Sequence, residues 1–268
     1  MDLNLKDKSV IVTGGSSGIG LAAARLFAEE GARVVIAARR PEVLEAAARS
    51  VTDATGVRVD GVATDVRDPA ALDRLVRTAL DLHGRIDILV NNAGDGVYRP
   101  FLEVTDDELV HGTAVNFFAQ FRLCQRVIPA MLEQGSGVIV NVTGETGIRV
   151  TTPPFWSACT GPSKAAENRL TKILASEFGE RGIRVNAVVP GYVRTEERLA
   201  KWQAELGPRS TTEEVTARMR EWAPGITRPG KEWGTPEELA DLIVYAASDR
   251  SAFVNGAVLV ADGGDDKS

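Results

Sequence analysis

The glycine-rich run that spans Thr13 to Gly20 is the segment whose residue types and spacing point most directly to a chemistry. It reads Thr13-Gly14-Gly15-Ser16-Ser17-Gly18-Ile19-Gly20. Glycines let a backbone approach a pyrophosphate closely, and the N-terminus of the following helix offers free N–H groups and the positive end of its dipole. A predicted strand precedes the run and a predicted helix follows it, which is the context that a dinucleotide site requires. The run therefore predicts a binding site for the pyrophosphate of a dinucleotide.

The end of the second predicted strand bears on which dinucleotide binds, and it reads Ala37-Ala38-Arg39-Arg40. Sites for NAD usually place a carboxylate there, which binds the ribose 2′-hydroxyl and would repel the 2′-phosphate of NADP. An arginine instead pairs with that phosphate. Arg39 and Arg40 therefore favour NADP(H) over NAD(H), with a merely solvated pair of arginines as the alternative.

Short runs of β-branched residues recur along the chain, with helical segments between them. The predicted strands are Val10–Thr13, Val34–Ala37, Val59–Thr64, Ile88–Asn91, Val138–Val142, Arg184–Val189 and Val258–Val260. Their interiors are continuously apolar, which is typical of strands covered on both faces in a parallel sheet. We predict a single α/β domain over residues 1–268, a Rossmann-type doubly wound parallel sheet of about seven strands with helices on both faces.

One long connection separates the sixth predicted strand from the last predicted helix. It covers residues 192–234 and contains two charged helical stretches, Glu196–Leu206 and Thr212–Trp222. A connection of this length in a compact domain usually has a function. We predict that it is a substrate lid inserted into the domain, with packing between subunits as the alternative.

Composition excludes several classes of function. Of the 268 residues, 44% are hydrophobic and 25% are charged, and the net charge is −6, so the chain has the composition of a soluble globular protein. No basic run indicates a nucleic-acid or membrane partner. Since no apolar stretch has the length of a signal peptide or membrane span, we expect a cytoplasmic protein. Two cysteines and two histidines predict neither a disulfide framework nor a metal site.

Further blocks follow the glycine-rich run in a fixed order. They are Asp65-Val66, Asn91-Asn92-Ala93-Gly94, Asn116, Asn186-Ala187-Val188-Val189-Pro190-Gly191 with Thr195, and Asp262-Gly263-Gly264. Each block is modest support, but together they cover nearly the whole chain. In this order and spacing the sequence resembles the short-chain dehydrogenase/reductase family.

The resemblance implies roles for particular residues. The pyrophosphate and adenosine side of the cofactor would be held by Gly14, Ser16, Ser17, Gly18 and Ile19. Asp65 and Val66 would border the adenine, and Asn92, Ala93 and Gly94 the ribose. The nicotinamide would be held by Pro190, Gly191, Val193 and Thr195. Lys164 would bind the nicotinamide ribose, and Asn116 would hold the water of a proton relay. Members of the family are usually dimers or tetramers, which here would pair through helices near 107–132 and 162–180.

The sequence departs from the family at two catalytic positions. Active members carry a serine after the fifth strand and a tyrosine four residues before the lysine. The ungapped serine position is Gly144, a shift of one residue would place Thr143 there, and the tyrosine position is Thr160. A lysine can bring a tyrosine, with a pKa near 10, toward working pH, but not an aliphatic alcohol. Loss of a positioned acid typically costs ~10²–10⁴-fold in rate.

Glu145, Tyr98 and Tyr192 are the candidates to replace the missing acid. Glu145 lies beside the lost serine, and a desolvated carboxylic acid can donate a proton, although a solvated or ion-paired carboxylate is the alternative. The two tyrosines lie where the family's substrate cleft opens, and each suits a wall of that cleft better than an acid.

The insert from Thr151 to Trp156 lengthens the distance between the serine and tyrosine positions. Its Phe155 and Trp156 would pack over a flat substrate ring or simply close the core. With Tyr98 and Tyr192 they suggest a small apolar or aromatic substrate.

Three functions remain open at this stage. The first is an NADP(H)-dependent reductase of a carbonyl or conjugated double bond with non-standard proton delivery, from a substrate hydroxyl, from water held by Asn116 and Lys164, or from Glu145. The second is a catalytically silent subunit that joins an active relative in a mixed oligomer. The third is a non-redox enzyme or a nucleotide sensor. For the first and third we expect a homodimer or homotetramer.

Overall fold

A computed structural model of the chain describes residues 2–150, 156–207, 211–222, 225–228 and 232–266. Its strands are β1 (Ser9–Thr13), β2 (Arg33–Ala38), β3 (Val59–Ala63), β4 (Ile88–Asn91), β5 (Gly137–Val142), β6 (Ile183–Pro190) and β7 (Val258–Ala261). They form one parallel sheet in the order β3-β2-β1-β4-β5-β6-β7. The predicted seven-stranded parallel sheet is confirmed, and each predicted strand ends within one residue of the observed one.

Helices cover both faces of this sheet. The α-helices among the described residues are α1 (Gly18–Glu29), α2 (Pro41–Thr55), α3 (Pro69–His83), α4 (Asp106–Thr113), α5 (Ala119–Gln134), α6 (Thr160–Phe178), α7 (Glu196–Leu206), α8 (Thr212–Trp222) and α9 (Pro236–Ala247). Apolar side chains of α1, α2 and α9 pack on one face. Those of α3, α5 and α6 pack on the other. None of the helices described is both long and apolar enough to cross a membrane.

Strand burial follows position in the sheet. The central strand β1 is buried along its whole length, as its continuously apolar sequence predicts. The edge strand β3 instead has partly or fully exposed residues from Asp60 to Ala63. The other edge strand, β7, is also partly or fully exposed along its length. The prediction of a continuously apolar, covered strand is therefore wrong for both edge strands, because an edge strand has only one neighbour.

The predicted long helix near 107–132 is interrupted by a π-helical turn over Ala114–Phe118, which separates α4 from α5. Such turns insert an extra residue and often occur at functional sites. Here the turn contains Asn116, which is 1% exposed. The insertion fixes the direction in which this side chain leaves the helix.

Strand order reverses between β1 and β4, so the connections that leave these two strands diverge and open a crevice at their carboxyl ends. The two loops are joined there by Asn92. Its Nδ2 donates to the carbonyl oxygens of Thr13 at 3.0 Å and of Gly14 at 3.3 Å. The Thr13 hydroxyl oxygen accepts from the backbone N–H groups of Asn92 and Ala93, both at 3.0 Å. The glycine-rich loop is thereby held against the end of β4.

The segment after β6 has an apolar cluster of its own. Val215, Met219, Ile226 and Trp233 are buried together, with Tyr192 and Leu199 packed against them. The Trp233 indole N–H donates to the Met219 carbonyl at 2.8 Å. Helices α7 and α8 have the predicted bounds. The substrate-lid role of residues 192–234 stays a prediction.

Candidate active site

A cavity of about 300 Å³, which we call the nucleotide cavity, lies at the carboxyl end of the sheet where the strand order reverses. Most of the residues predicted to hold a cofactor line it, namely Gly14, Ser16, Ser17, Gly18, Ile19, Arg39, Arg40, Asp65, Val66, Asn92, Ala93, Gly94 and Thr195. Gly20 and Val193 are buried and lie outside its wall. The structure thus brings together residues from five separate parts of the sequence.

The glycine-rich loop has the shape that a bound pyrophosphate requires. Gly14 and Gly18 have φ values of +65° and +53°, a conformation that side-chain-bearing residues rarely adopt. At Gly20 a Cβ would come within 2.3 Å of the Gly14 carbonyl oxygen. Helix α1 begins at Gly18 with no acidic residue in its first turn, so its N–H groups and dipole face the cavity uncompensated. These features fit a dinucleotide.

The two arginines after β2 differ in their surroundings. Arg40 Nη2 pairs with Glu197 Oε1 of α7 at 2.9 Å. Arg39 is exposed and makes no hydrogen bond or ion pair with any residue described here. Its charge acts on Asp65, whose pKa is lowered to about 2, mainly by the hydrogen bond from Arg67. Arg39 is therefore the arginine that is ready to pair with an incoming anion.

A second cavity of about 270 Å³, which we call the reaction cavity, adjoins the first and shares Ile19, Asn92, Gly94 and Asp95 with it. The rest of its wall consists of Gly96, Tyr98, Val142, Thr143, Gly144, Glu145, Thr146, Thr160, Lys164, Pro190, Gly191, Tyr192 and Arg198. The candidate catalytic residues Thr143, Glu145, Thr160 and Lys164 are therefore brought together.

Of the predicted substrate residues that the structure describes, Tyr98 and Tyr192 line the reaction cavity. Trp156 is 45% exposed and lines a separate shallow surface beside Ile148 and Pro162. Phe155 lies outside the described residues.

The hydroxyl groups of Thr160 and Thr143 are committed to structural hydrogen bonds. Thr160 Oγ1 accepts from the Val97 N–H at 2.9 Å and donates to the Val97 carbonyl at 3.2 Å. Thr143 Oγ1 donates to Asn168 Oδ1 at 2.9 Å. A hydroxyl has a single proton to donate. Neither threonine therefore offers a free donor in place of the lost tyrosine or serine.

Lys164 forms a buried ion pair with a carboxylate that sequence reasoning missed. Its Nζ lies 3.1 Å from Glu167 Oε2, and the two side chains are 9% and 3% exposed. Burial raises the pKa of Glu167 to about 7, against the lowering effect of Lys164. The spacing of these residues, one turn apart on α6, was the available sequence signal.

Asn116 forms hydrogen bonds to a residue in the wall of the reaction cavity. Its Nδ2 donates to the carbonyl oxygens of Asp95 at 2.8 Å and Gly112 at 2.9 Å. Its Oδ1 accepts from the Asp95 N–H at 3.3 Å. His111 Nε2 lies 3.2 Å from the carboxylate of the same aspartate, a contact that the sequence did not predict. The side chain of Asn116 thus fixes the loop that carries Asp95.

Glu145 belongs to a group of three charged side chains, of which the two carboxylates are buried. Arg149 Nη2 contacts both Glu145 Oε1 and Asp265 Oδ2. The side chains of Glu145 and Asp265 are 7% and 6% exposed. Burial, with a smaller contribution from Asp265 and Asp262, raises the pKa of Glu145 to about 7, while Arg149 opposes the rise. Sequence reasoning found Glu145 but neither Arg149 nor Asp265.

The two tyrosines of the reaction cavity are weaker acids than a free tyrosine. Burial and nearby carboxylates raise the pKa of Tyr192 to about 12. Burial also raises the pKa of Tyr98. The Tyr192 ring packs against Trp233, with 4.7 Å between the ring centroids. Of the three candidate acids, Glu145 is the one whose pKa lies near neutral pH.

Comparisons with known proteins agree with this arrangement. A family model described as enoyl-(acyl carrier protein) reductase matches residues 14–265. The oxidoreductase UcpA of Escherichia coli strain K12 is 36% identical over 260 residues, which cover 97% of this chain and 95% of that protein. The 3-oxoacyl-[acyl-carrier-protein] reductase FabG of Thermotoga maritima is 35% identical over 266 residues, or 98% of this chain and 99% of that protein.

Among solved structures, the L-sorbose reductase of Gluconobacter frateurii complexed with NADPH and L-sorbose superimposes with a TM-score of 0.92. The two sequences are 34% identical, and the match covers 100% of each chain. The likeness therefore extends over both cavities.

Replacement of Gly144 by serine should leave the fold intact. The φ of Gly144 is 173°, an extended conformation open to any residue, and a Cβ there would meet only the Lys164 side chain at 3.8 Å. We expect Gly144→Ser to change the free energy of unfolding by less than about 0.5 kcal/mol. Gly147→Ala is the matched control, because its Cβ would lie 2.6 Å from the Lys164 backbone carbon. Equal stability of the two variants in urea unfolding would contradict the geometry.

The stability of the protein should fall as pH rises from about 5 to about 8. The folded-state pKa of Glu167 is raised to about 7 from a usual value of 4.5, so the folded state holds this proton more tightly than the unfolded state. The resulting stabilisation is complete below the unfolded pKa and is lost as pH passes through the folded one. Glu145 contributes with the same sign.

The variant Glu167→Gln should show a flatter dependence of unfolding free energy on pH, measured by urea unfolding at each pH. Glu29→Gln removes an exposed carboxylate from an ion pair with Arg25 and serves as the control. Curves that run parallel for the wild type and Glu167→Gln would show that Glu167 does not titrate in this range.

Proposed function

Since the chain belongs to the short-chain dehydrogenase/reductase family of oxidoreductases, we propose that it is an NADP(H)-dependent reductase of a carbonyl group. We further propose that Glu145 supplies the proton. The observation that carries the proposal is the position of Glu145, a buried acid with a pKa of about 7, in the wall of the reaction cavity.

NADP(H) is supported by the free arginine at the end of β2 and by the NADPH in the L-sorbose reductase structure. The glycine-rich loop would hold the pyrophosphate, Asp65 and Val66 the adenine, and Lys164 the nicotinamide ribose. The dinucleotide, when bound, supplies the hydride that the carbonyl carbon accepts.

The chain's own residues must then deliver a proton and stabilise negative charge. As the carbonyl oxygen becomes an oxyanion, the Lys164 ammonium in the same cavity attracts it. The protonated carboxyl group of Glu145 donates its proton to that oxygen, which completes an alcohol. The resulting carboxylate is reprotonated from solvent. Thr160 and Thr143 are unsuited to this step because their hydroxyl protons are already donated.

The wall of the reaction cavity narrows the substrate class. Tyr98 and Tyr192 offer the ring surfaces that an apolar or aromatic substrate requires, but Glu145, Lys164 and Arg198 line the same space. A wholly apolar molecule would cover these charged groups and replace their water without offering hydrogen bonds in return. We therefore propose a small ketone that carries further hydroxyl or other polar groups, a class to which the L-sorbose of the neighbouring structure also belongs.

Arg39→Ala should weaken NADPH binding by about 10- to 100-fold, because hydrogen bonds to a charged group contribute about 1.5–3 kcal/mol. NADH binding should not change, since NADH lacks the 2′-phosphate. Calorimetric titration of the purified chain with each nucleotide measures both. Arg40→Ala is the matched control and should cost less, because Arg40 is already paired with Glu197. Equal losses for NADPH and NADH would contradict the proposed role of Arg39.

Glu145→Gln should lower the kcat for ketone reduction by about 10²-fold or more, because it removes a positioned acid. In the wild type, kcat/KM should fall as pH rises through about 7, because only protonated Glu145 donates. The variant should lose this dependence. Turnover is followed as NADPH oxidation by the purified chain alone, which also tests the silent-subunit alternative.

Tyr192→Phe is the control for Glu145→Gln, since it removes a hydroxyl from the same cavity and should keep the pH dependence. A Glu145→Gln variant with the wild-type rate and pH profile would overturn the proposed mechanism. A wild-type chain that binds NADPH but reduces no polar ketone would favour the silent subunit.

A further inference from the structure

We infer that Asp265, on the segment that follows β7, is a positioning residue that keeps the proton on Glu145. The inference rests on the proposed role of Glu145 as proton donor.

A tight turn carries Asp265 to the reaction cavity. The carboxylate of Asp262 accepts hydrogen bonds from the backbone N–H groups of Gly264 at 2.8 Å and Asp266 at 2.6 Å. Gly263 and Gly264 have φ values of +69° and +78°, which glycine adopts without strain. The Asp-Gly-Gly block thus reverses the chain directly after β7, so that the next side chain is buried beside Arg149.

Residues of the 192–234 segment enclose Asp265 from the other side. The Thr227 N–H donates to the Gly263 carbonyl at 3.0 Å. A Cβ on Gly225 would come within 2.0 Å of Asp265 Oδ1, so only glycine fits there. The carboxyl group of Asp265 is therefore shielded from water and held in one place.

The charges in this enclosed group favour one bound proton. Two carboxylates and one guanidinium carry a net charge of −1, and a buried net charge is costly. One proton makes the group neutral. Arg149 donates hydrogen bonds from Nη2 to Asp265 Oδ2 and from Nη1 to the Asp265 carbonyl. Nη2 also contacts Glu145 Oε1, but that contact lacks hydrogen-bond geometry, so Glu145 Oε1 is buried and accepts no hydrogen bond from any residue described. The proton therefore belongs on Glu145, and the guanidinium stabilises the charge on Asp265.

Other ionisable groups also face Glu145, and they do not reverse this result. They are Arg149 on its own loop, Asp262 and Asp265 after β7, Tyr192 after β6, Asp95 and Tyr98 after β4, and Lys164 of α6 and Arg198 of α7 in the same cavity wall. Of these, Asp265 contacts the same guanidinium nitrogen as Glu145. Among the carboxylates, Asp265 should therefore be the one whose removal has the largest effect on Glu145.

The test is the pH dependence of kcat/KM for ketone reduction by Asp265→Asn. Without the second carboxylate, Arg149 pairs with Glu145 alone and favours its ionised form, so the profile should move to lower pH by about one unit. That shift corresponds to a loss of about tenfold at pH 8 and little change at pH 5. Arg149→Gln removes the cation and should move the profile in the opposite direction. An unshifted profile in Asp265→Asn would overturn the inference.

A second measurement does not depend on turnover. Because the pKa of Glu167 is also about 7, the measurement is made in a Glu167→Gln background. There, difference infrared spectroscopy at pH 7 should show a protonated carboxyl absorption that Glu145→Gln abolishes and Asp265→Asn diminishes. An undiminished absorption in Asp265→Asn would contradict the inference. Unchanged calorimetric NADPH affinity in Asp265→Asn shows that the nucleotide cavity is intact.

The two proposals fail separately. Glu145→Gln with wild-type turnover overturns the proposed function. Inactive Glu145→Gln together with an unshifted Asp265→Asn profile overturns only the role of Asp265.

Discussion

The hydrogen bonds between Asn92 and the loop that follows β1 hold together the edge of the sheet on which both cavities depend. Strand order reverses at this point, so the connections of β1 and β4 run apart, and without a crosslink their loops would be free to separate. Asn92 and the Thr13 hydroxyl close that gap with bonds of 3.0–3.3 Å. Because Asn92 lines both cavities, the same contact sets the position of a cofactor relative to a substrate.

The reaction cavity has Thr160, Lys164 and Glu145 in its wall. A threonine at position 160 cannot supply an acid, but its hydroxyl pins the loop at Val97, so the position keeps a structural role. Lys164 keeps its place and has Glu167 as a buried counter-ion. In the mechanism that we propose, the acid is the carboxyl group of Glu145, whose pKa is moved toward neutrality by burial. Burial moves the pKa values of Tyr98 and Tyr192 away from neutrality.

Sequence reasoning found what is encoded locally. The strands, the glycine-rich loop and helices α7 and α8 follow from short periodic patterns, and they occur where they were predicted. It erred at the edge strands β3 and β7, because the pattern of a single strand does not reveal whether another strand lies beyond it. It also missed the π-helical turn at Asn116, since one inserted residue leaves the helical pattern almost unchanged.

Sequence reasoning identified only part of the candidate site, for the same reason. Glu145 could be named because it stands next to a motif position. Its partner Asp265 is 116 residues beyond Arg149 and meets it only through the turn after β7. Glu167 lies close in sequence to Lys164, but only the structure shows that its carboxylate is buried. Long-range contacts and burial decide the ionisation of both acids.

The ion pair between Arg40 and Glu197 connects the edge of the nucleotide cavity to the first turn of α7. Both side chains are more than half exposed, so the pair is weak and easily screened by salt. An anion that enters beside Arg40 competes with Glu197 for the same guanidinium. Such competition is reciprocal. If a bound anion weakens the pair between Arg40 and Glu197 by a given free energy, breaking that pair strengthens anion binding by the same free energy. Nucleotide binding and the position of α7 are therefore thermodynamically linked at this surface contact. The coupling free energy is no larger than the free energy of the ion pair.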